Sequence, residues 1–160
     1  MRTHNVAFAI LAITLLLGCG NNLYGQQRRE IHIIHADSMR NLKIDGKDIR
    51  RLLGNVSIRH EETTITCDSL YDYVGHNTFD AFSNVKVFQE TTTLYGDTLK
   101  FDGATKKGKV RGKVVRMVDE ETTLVTRFLD FETLNKTVNY YGGAVINTPD
   151  SRFSSDKGKY

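Results

Sequence analysis

Few residues in this chain could do covalent or metal chemistry, and their spacing does not bring them together. The two cysteines are Cys19 and Cys67. A thiol nucleophile needs a base beside it, and no histidine flanks Cys67. A metal site wants histidine, cysteine or carboxylate ligands at short, regular spacings, whereas His32, His35, His60 and His76 are scattered. No catalytic set, metal site or cofactor is expected, so the chain does not read as an enzyme. The one concentrated basic run is Lys106–Lys113. Nucleic acid would require aromatic stacking platforms beside it, and there are none. The run reads either as a solvated hairpin that guards a sheet from aggregation or as a rim facing the phosphate of an anionic lipid. The polar residues that do recur at regular spacing are Asp37, Asp68 and Asp97.

Those aspartates mark an internal repeat, the signal to seek before any local motif. Ile34-His35-Ala36-Asp37-Ser38-Met39 matches Ile65-Thr66-Cys67-Asp68-Ser69-Leu70 and Leu94-Tyr95-Gly96-Asp97-Thr98-Leu99. A degenerate fourth copy, Leu124-Val125-Thr126-Arg127-Phe128-Leu129, puts Arg127 where the others have Asp. A fifth begins at Phe153-Ser154-Ser155-Asp156. A second motif keeps the same period: Gly54-Asn55-Val56, Ser83-Asn84-Val85, Gly112-Lys113-Val114 and Gly142-Gly143-Ala144 start 29, 29 and 30 residues apart. Two motifs sharing one period over four copies are not a chance similarity.

Each repeat reads as two short strands. The first runs through the Asp motif into alternating residues such as Leu70-Tyr71-Asp72-Tyr73. A polar stretch follows, and the second strand is expected to start at the Gly/Asn-Val motif and to end in Glu- and Thr-rich turns. Alternation between closely spaced turn signals argues for strands, and no window carries a helical period. Leu94 and Leu99 lie five residues apart, which simple alternation would place on opposite faces. A bulge at the small residue and Asp returns both to one face. Asp37, Asp68 and Asp97 are therefore read as corner residues, their short polar side chains bonding nearby N–H groups.

Composition agrees with strands. After residue 25 there are fifteen Thr and four Ala, and β-branched residues suit a pleated surface while Ala favours helix. Met1–Gly25 has the layout of a secretory signal: Arg2 and His4, the apolar run Val6–Gly18, then small and polar residues. The run is too short to span a bilayer. Leu16-Leu17-Gly18-Cys19 resembles a lipobox that would lipidate Cys19, although Leu17 is large for its slot; cleavage at Gly25-Gln26 would release a soluble chain. Residues 26–160 then form one domain, stopping inside the fifth repeat, which reads as a truncation. Beyond residue 25 there are 21 basic and 19 acidic side chains, too little basic excess for a nucleic-acid binder. A lone thiol in the domain cannot staple it.

The leader followed by repeats of about 30 residues, with Ala36-Asp37-Ser38-Met39 and Gly54-Asn55-Val56 as their fullest forms, resembles the LptA/OstA family of lipopolysaccharide-transport proteins. It is most similar to the OstA-like branch found in Gram-negative bacteria. The resemblance covers Ile31 to Asp156; it departs from the pattern at Arg127, Phe128 and Cys67. It implies an all-β jelly-roll of stacked antiparallel strands, open at both ends, with an apolar groove along its length. It also implies a periplasmic, non-enzymatic carrier or bridge that passes lipopolysaccharide or a related lipid toward the outer membrane. Partners would be other bridge proteins, or copies of this chain, joined end to end by strand pairing. The periodic apolar residues Val56, Ile58, Ile65, Leu70, Val85, Val87, Leu94, Leu99, Phe101, Val114, Leu124 and Leu129 are the groove candidates. The competing expectation is a structural or adhesive secreted repeat protein, in which the same residues form a closed core.

Overall fold

The computed structural model describes residues 31–159. The expected leader, with Cys19 and the Gly25-Gln26 cleavage site, lies outside the described residues. The rest is all β: β1 (His32–His35), β2 (Ser38–Ile44), β3 (Lys47–His60), β4 (Thr63–Tyr73), β5 (Thr78–Gln89), β6 (Thr92–Asp102), β7 (Lys107–Asp119), β8 (Thr122–Glu132), β9 (Thr137–Asn147) and β10 (Arg152–Lys159). Each strand pairs antiparallel with the next in sequence from β3 to β10, in one unclosed sheet. β1 and β2 both pair with β3, so they are two halves of one strand interrupted at Ala36-Asp37.

The strands are longer than the sequence suggested, 11 to 14 residues from β3 to β9. The Gly/Asn-Val motif does not start the second strand; it sits in the middle of it. Both motifs are the two sides of one corner. Gly54-Asn55 on β3 bulge against the single Asp68 of β4, and Ser83-Asn84 on β5 bulge against the single Asp97 of β6. Gly54, Asn55, Ser83 and Asn84 all have left-handed φ, from 45° to 74°. Such φ values are cheap for Gly and Asn and costly for most other residues. A register break in every strand pair from β3 to β10 folds the sheet lengthwise into two facing walls. Ring contact across the fold, His60 of β3 against Phe101 of β6 at 5.1 Å, shows the walls meeting.

One groove candidate is misplaced. β7 carries three extra residues at its corner, Gly112, Lys113 and Val114, where β3 and β5 carry two against their Asp partners. Val114 is thereby turned outward, 59% exposed, and Val115 takes the inward slot at 0%. Counting back five residues from the turn glutamates Glu61, Glu90 and Glu120 lands on Val56, Val85 and Val115. That spacing was the available signal.

The turns differ between the two rims. One rim has two-residue turns, Glu61-Glu62, Glu90-Thr91 and Glu120-Glu121, whose first residue is left-handed. The other has four-residue turns at 74–77, 103–106 and 133–136, whose last residue (Asn77, Lys106 or Lys136) is left-handed. Between the rims the interior is built from cross-strand rows. Leu52, Leu70, Ala81, Leu99, Val110, Leu129 and Tyr140 stand opposite one another across β3 to β9, all buried. On the other wall Ile58, Ile65, Val87, Leu94, Met117, Leu124 and the partly buried Ile146 stand opposite one another in the same way. Each fully buried aliphatic side chain is worth ~1.5–3 kcal/mol, so these rows hold the walls together without a disulfide.

Candidate functional site

The aspartates serve the corners. Asp68 accepts a hydrogen bond from Asn84 Nδ2 at 2.8 Å, and Asp37 accepts one from Asn55 Nδ2 at 3.0 Å. Asp97 accepts from the backbone N–H of Lys113 at 2.8 Å. In each case the Asp motif of one strand satisfies the Gly/Asn-Val motif of the next. Among the described residues no group of three or more His, Cys, Asp or Glu converges as metal ligands would. Burial pushes the Cys67 thiol up to about 11, far from the lowered values of nucleophilic cysteines.

What remains is the space between the walls. Phe79, Phe101 and Phe131 form an inner aromatic row, with ring centroids 5.3 and 6.3 Å apart. Gly108 stands in register between Phe101 and Phe131. A Cβ there would lie 2.1 Å from the Phe131 ring, so the glycine is what lets Phe131 lie over β7. Two adjoining cavities open along the rims. One, of about 140 Å³, has Ile65, Phe79, Val87, Leu99, Phe101 and Phe131 as its apolar lining, with His60, Glu61 and Glu90 at its lip. The second, of about 260 Å³, is lined by Val87, Leu94, Met117, Phe131 and Val138, with Glu90, Thr133 and Lys136 above them.

The groove is not uniform along its length. The cross-strand row that carries Phe79, Phe101, Gly108 and Phe131 continues on β4 and β3 as Asp72 and Arg50. Asp72 is buried and accepts from Arg50 Nε at 3.0 Å. Burial near Asp80, whose carboxylate accepts from the Tyr73 hydroxyl at 3.1 Å, raises the Tyr73 pKa. The N-terminal end of the interior is thus polar and ion-paired, and the middle is aromatic.

Of the twelve groove candidates, eleven are buried and Val114 is not. Ile65, Val87, Leu94, Leu99 and Phe101 line the two cavities. Val56, Ile58, Leu70, Val85, Leu124 and Leu129 are packed in the core and line neither. The sequence reading missed Phe79, Phe131, Met117 and Val138. Phe79 precedes Ala81 and Phe131 follows Leu129 at strand alternation, a period-2 signal that was present.

The sequence profile of the OstA-like proteins matches residues 28–160. The chain belongs to the OstA-like family. Its fold is that of LptH, described as the LptA-homologous periplasmic component of the conserved lipopolysaccharide transport device from Pseudomonas aeruginosa. The two structures superpose with a TM-score of 0.60 at 17% sequence identity, over 71% of this chain and 82% of LptH. No curated protein matches the chain in sequence. The open antiparallel jelly-roll that the resemblance implies is present, with ten strands in its sheet among the described residues.

Proposed function

We propose that this OstA-like protein is a non-enzymatic periplasmic carrier or bridge for lipopolysaccharide or a closely related lipid, whose acyl chains occupy the groove between the walls. The observation that carries the reading is the pair of apolar rows running in register from β3 to β9 inside a sheet that never closes. Each acyl CH₂ moved from water into such a groove gains ~0.8 kcal/mol. A multi-chain lipid needs that escort to leave a membrane. The membership in the OstA-like family and the LptH-like fold support the same reading.

Hand-over fits the ends of the sheet. β10 pairs only with β9, and its residues are almost all exposed, while β1 and β2 form the opposite edge. Unpaired edges accept another strand, so bridge proteins or further copies of this chain would dock there head to tail. The Met1–Gly25 leader would direct export, with lipidation at Cys19 as its alternative outcome.

Photo-crosslinking in lipopolysaccharide-producing cells tests the groove. A photoreactive residue at Phe131, inside, should capture lipid, and one at Val114, outside, should not. A closed structural or adhesive repeat is the competing reading, favoured by how many interior residues are fully buried. Equal capture at both positions, or none at either, would support it.

A further inference from the structure

The mouth of the groove is crossed twice by the same ion pair. Lys106 Nζ contacts Glu61 Oε1, and Lys136 Nζ lies 3.6 Å from Glu90 Oε1. In both, the glutamate is the first residue of a two-residue turn on one rim, and the lysine is the last residue of a four-residue turn on the other. The glutamates are 29 residues apart and the lysines 30, so the pair repeats with the fold. All four residues have left-handed φ, between 48° and 58°. Glycine or asparagine would take that backbone more cheaply, and local strain of this kind concentrates at functional sites.

Glu61 and Glu90 line the smaller cavity, Glu90 and Lys136 line the larger, and both cavities are small. At about 140 and 260 Å³ they fall below the ~300–1,000 Å³ usual for ligand sites, so a multi-chain lipid enters only if the rims part. The Lys136–Glu90 pair, exposed on both sides, is a weak strap, and the half-buried Lys106–Glu61 pair is the firmer of the two. A phosphate is a stronger partner for the same ammonium because it carries more charge and more acceptor oxygens.

The geometry points to Lys106 and Lys136 as the headgroup contacts for a phosphorylated, multi-acyl lipid, held in reserve by Glu61 and Glu90 until the headgroup displaces the carboxylates and the rims separate. This rests on the reading that the groove takes acyl chains. The carboxylates then act against binding and the lysines for it, although both belong to the same strap.

That opposition of sign is the test. Binding of dioctanoyl phosphatidate and of uncharged dioctanoylglycerol would be measured by calorimetry on residues 26–160. Lys106→Met with Lys136→Met should weaken phosphatidate binding about tenfold and leave dioctanoylglycerol unchanged or tighter. Glu61→Gln with Glu90→Gln should tighten phosphatidate binding several-fold. Glu120→Gln, at the same turn position with no lysine opposite it among the described residues, should change neither. Lys136→Met alone, at a side chain 75% exposed, keeps the test intact if the double variant folds poorly, and should give part of the loss. If the Glu and Lys variants move phosphatidate binding the same way, or leave it unmoved while dioctanoylglycerol still binds, the strap is only structural and this inference falls alone. If wild type binds neither lipid, the groove reading falls first and takes this one with it.

Discussion

Three corners of this sheet and its fourth are bent in the same way by different chemistry. At the first three, an Asp carboxylate accepts from Asn55, from Asn84, or from the Lys113 backbone. At the fourth, Arg127 stands in the Asp position, and Gly142-Gly143 face it with φ of 77° and 89°. There Thr126 Oγ1 donates to Gly143 O at 2.8 Å, Phe128 stacks on Tyr141 at 5.4 Å, and the Arg111 and Arg127 guanidiniums lie over the Phe128 ring. Left-handed backbone marks the extra residues of the first, second and fourth corners, whereas the third inserts three residues, Gly112, Lys113 and Val114, none of them left-handed; the side chain that satisfies the inserted residues differs as well. Inserted residues are therefore what all four corners share, and the aspartate is one way of satisfying them.

The largest expected effect separates the two kinds of corner at their glycines. Gly54 has φ +74°, and a Cβ there would sit 2.2 Å from the Asp37 carboxylate. Gly54→Ala would have to strain the backbone by ~1–2 kcal/mol and also swing Asp37 away from Asn55, at a further ~1–3 kcal/mol for overpacking and the lost bond. Gly143 has φ +89° with nothing within 4 Å of its Cβ direction, so Gly143→Ala should incur only the backbone strain. Urea midpoints of the two variants measure the difference. Equal losses would mean that the Asp contact does not distinguish the first corner from the fourth.

A middle-sized effect tests the side chains themselves. Asp68→Ala leaves the Asn84 amide without its acceptor, and a charge-assisted hydrogen bond at an exposed site is worth ~1 kcal/mol. Arg127→Ala removes only an exposed guanidinium over the half-buried Phe128 ring, for ~0.5 kcal/mol. Should Arg127→Ala cost as much as Asp68→Ala, the fourth corner depends on its side chain as much as the second does.

How far the sequence reached follows the same division. The corners were legible because two motifs repeat in phase, and the strands because Thr, Val and Ile dominate between turn signals. The strand starts were misread because alternation fails inside a bulge, so the apolar count resumes only after it. Val114 was chosen over Val115 because β7 has one more corner residue than its neighbours, and aligning motifs from the glycine absorbs that insertion silently. The polar end of the interior, Arg50 with Asp72, was invisible because charged residues at inward positions look like solvent-facing ones until the register is known. The pairs across the mouth join turns 45 and 46 residues apart on opposite rims, a relation set by how the sheet folds over and by nothing local.

The smallest effect at neutral pH concerns the slot before each corner residue, held by Ala36, Cys67, Gly96 and Thr126 in turn. Thr126 uses its hydroxyl on Gly143, and Cys67 directs its thiol to the Ser69 carbonyl at 3.2 Å. Burial holds the folded thiol's pKa at about 11, above its ordinary 9.0, so the folded chain keeps a proton that the unfolded chain releases. Below pH 9 both states are protonated and the group is neutral to stability. Between pH 9 and 11 only the unfolded state ionises, so stability falls as pH rises. Cys67→Ala, which copies the first corner, removes that proton and with it the loss. Urea midpoints for wild type and Cys67→Ala should therefore run parallel from pH 7 to 8.5 and then converge or cross in the variant's favour toward pH 10.5. Curves parallel throughout would mean that the thiol ionises as readily folded as unfolded, and that the second corner is open to water.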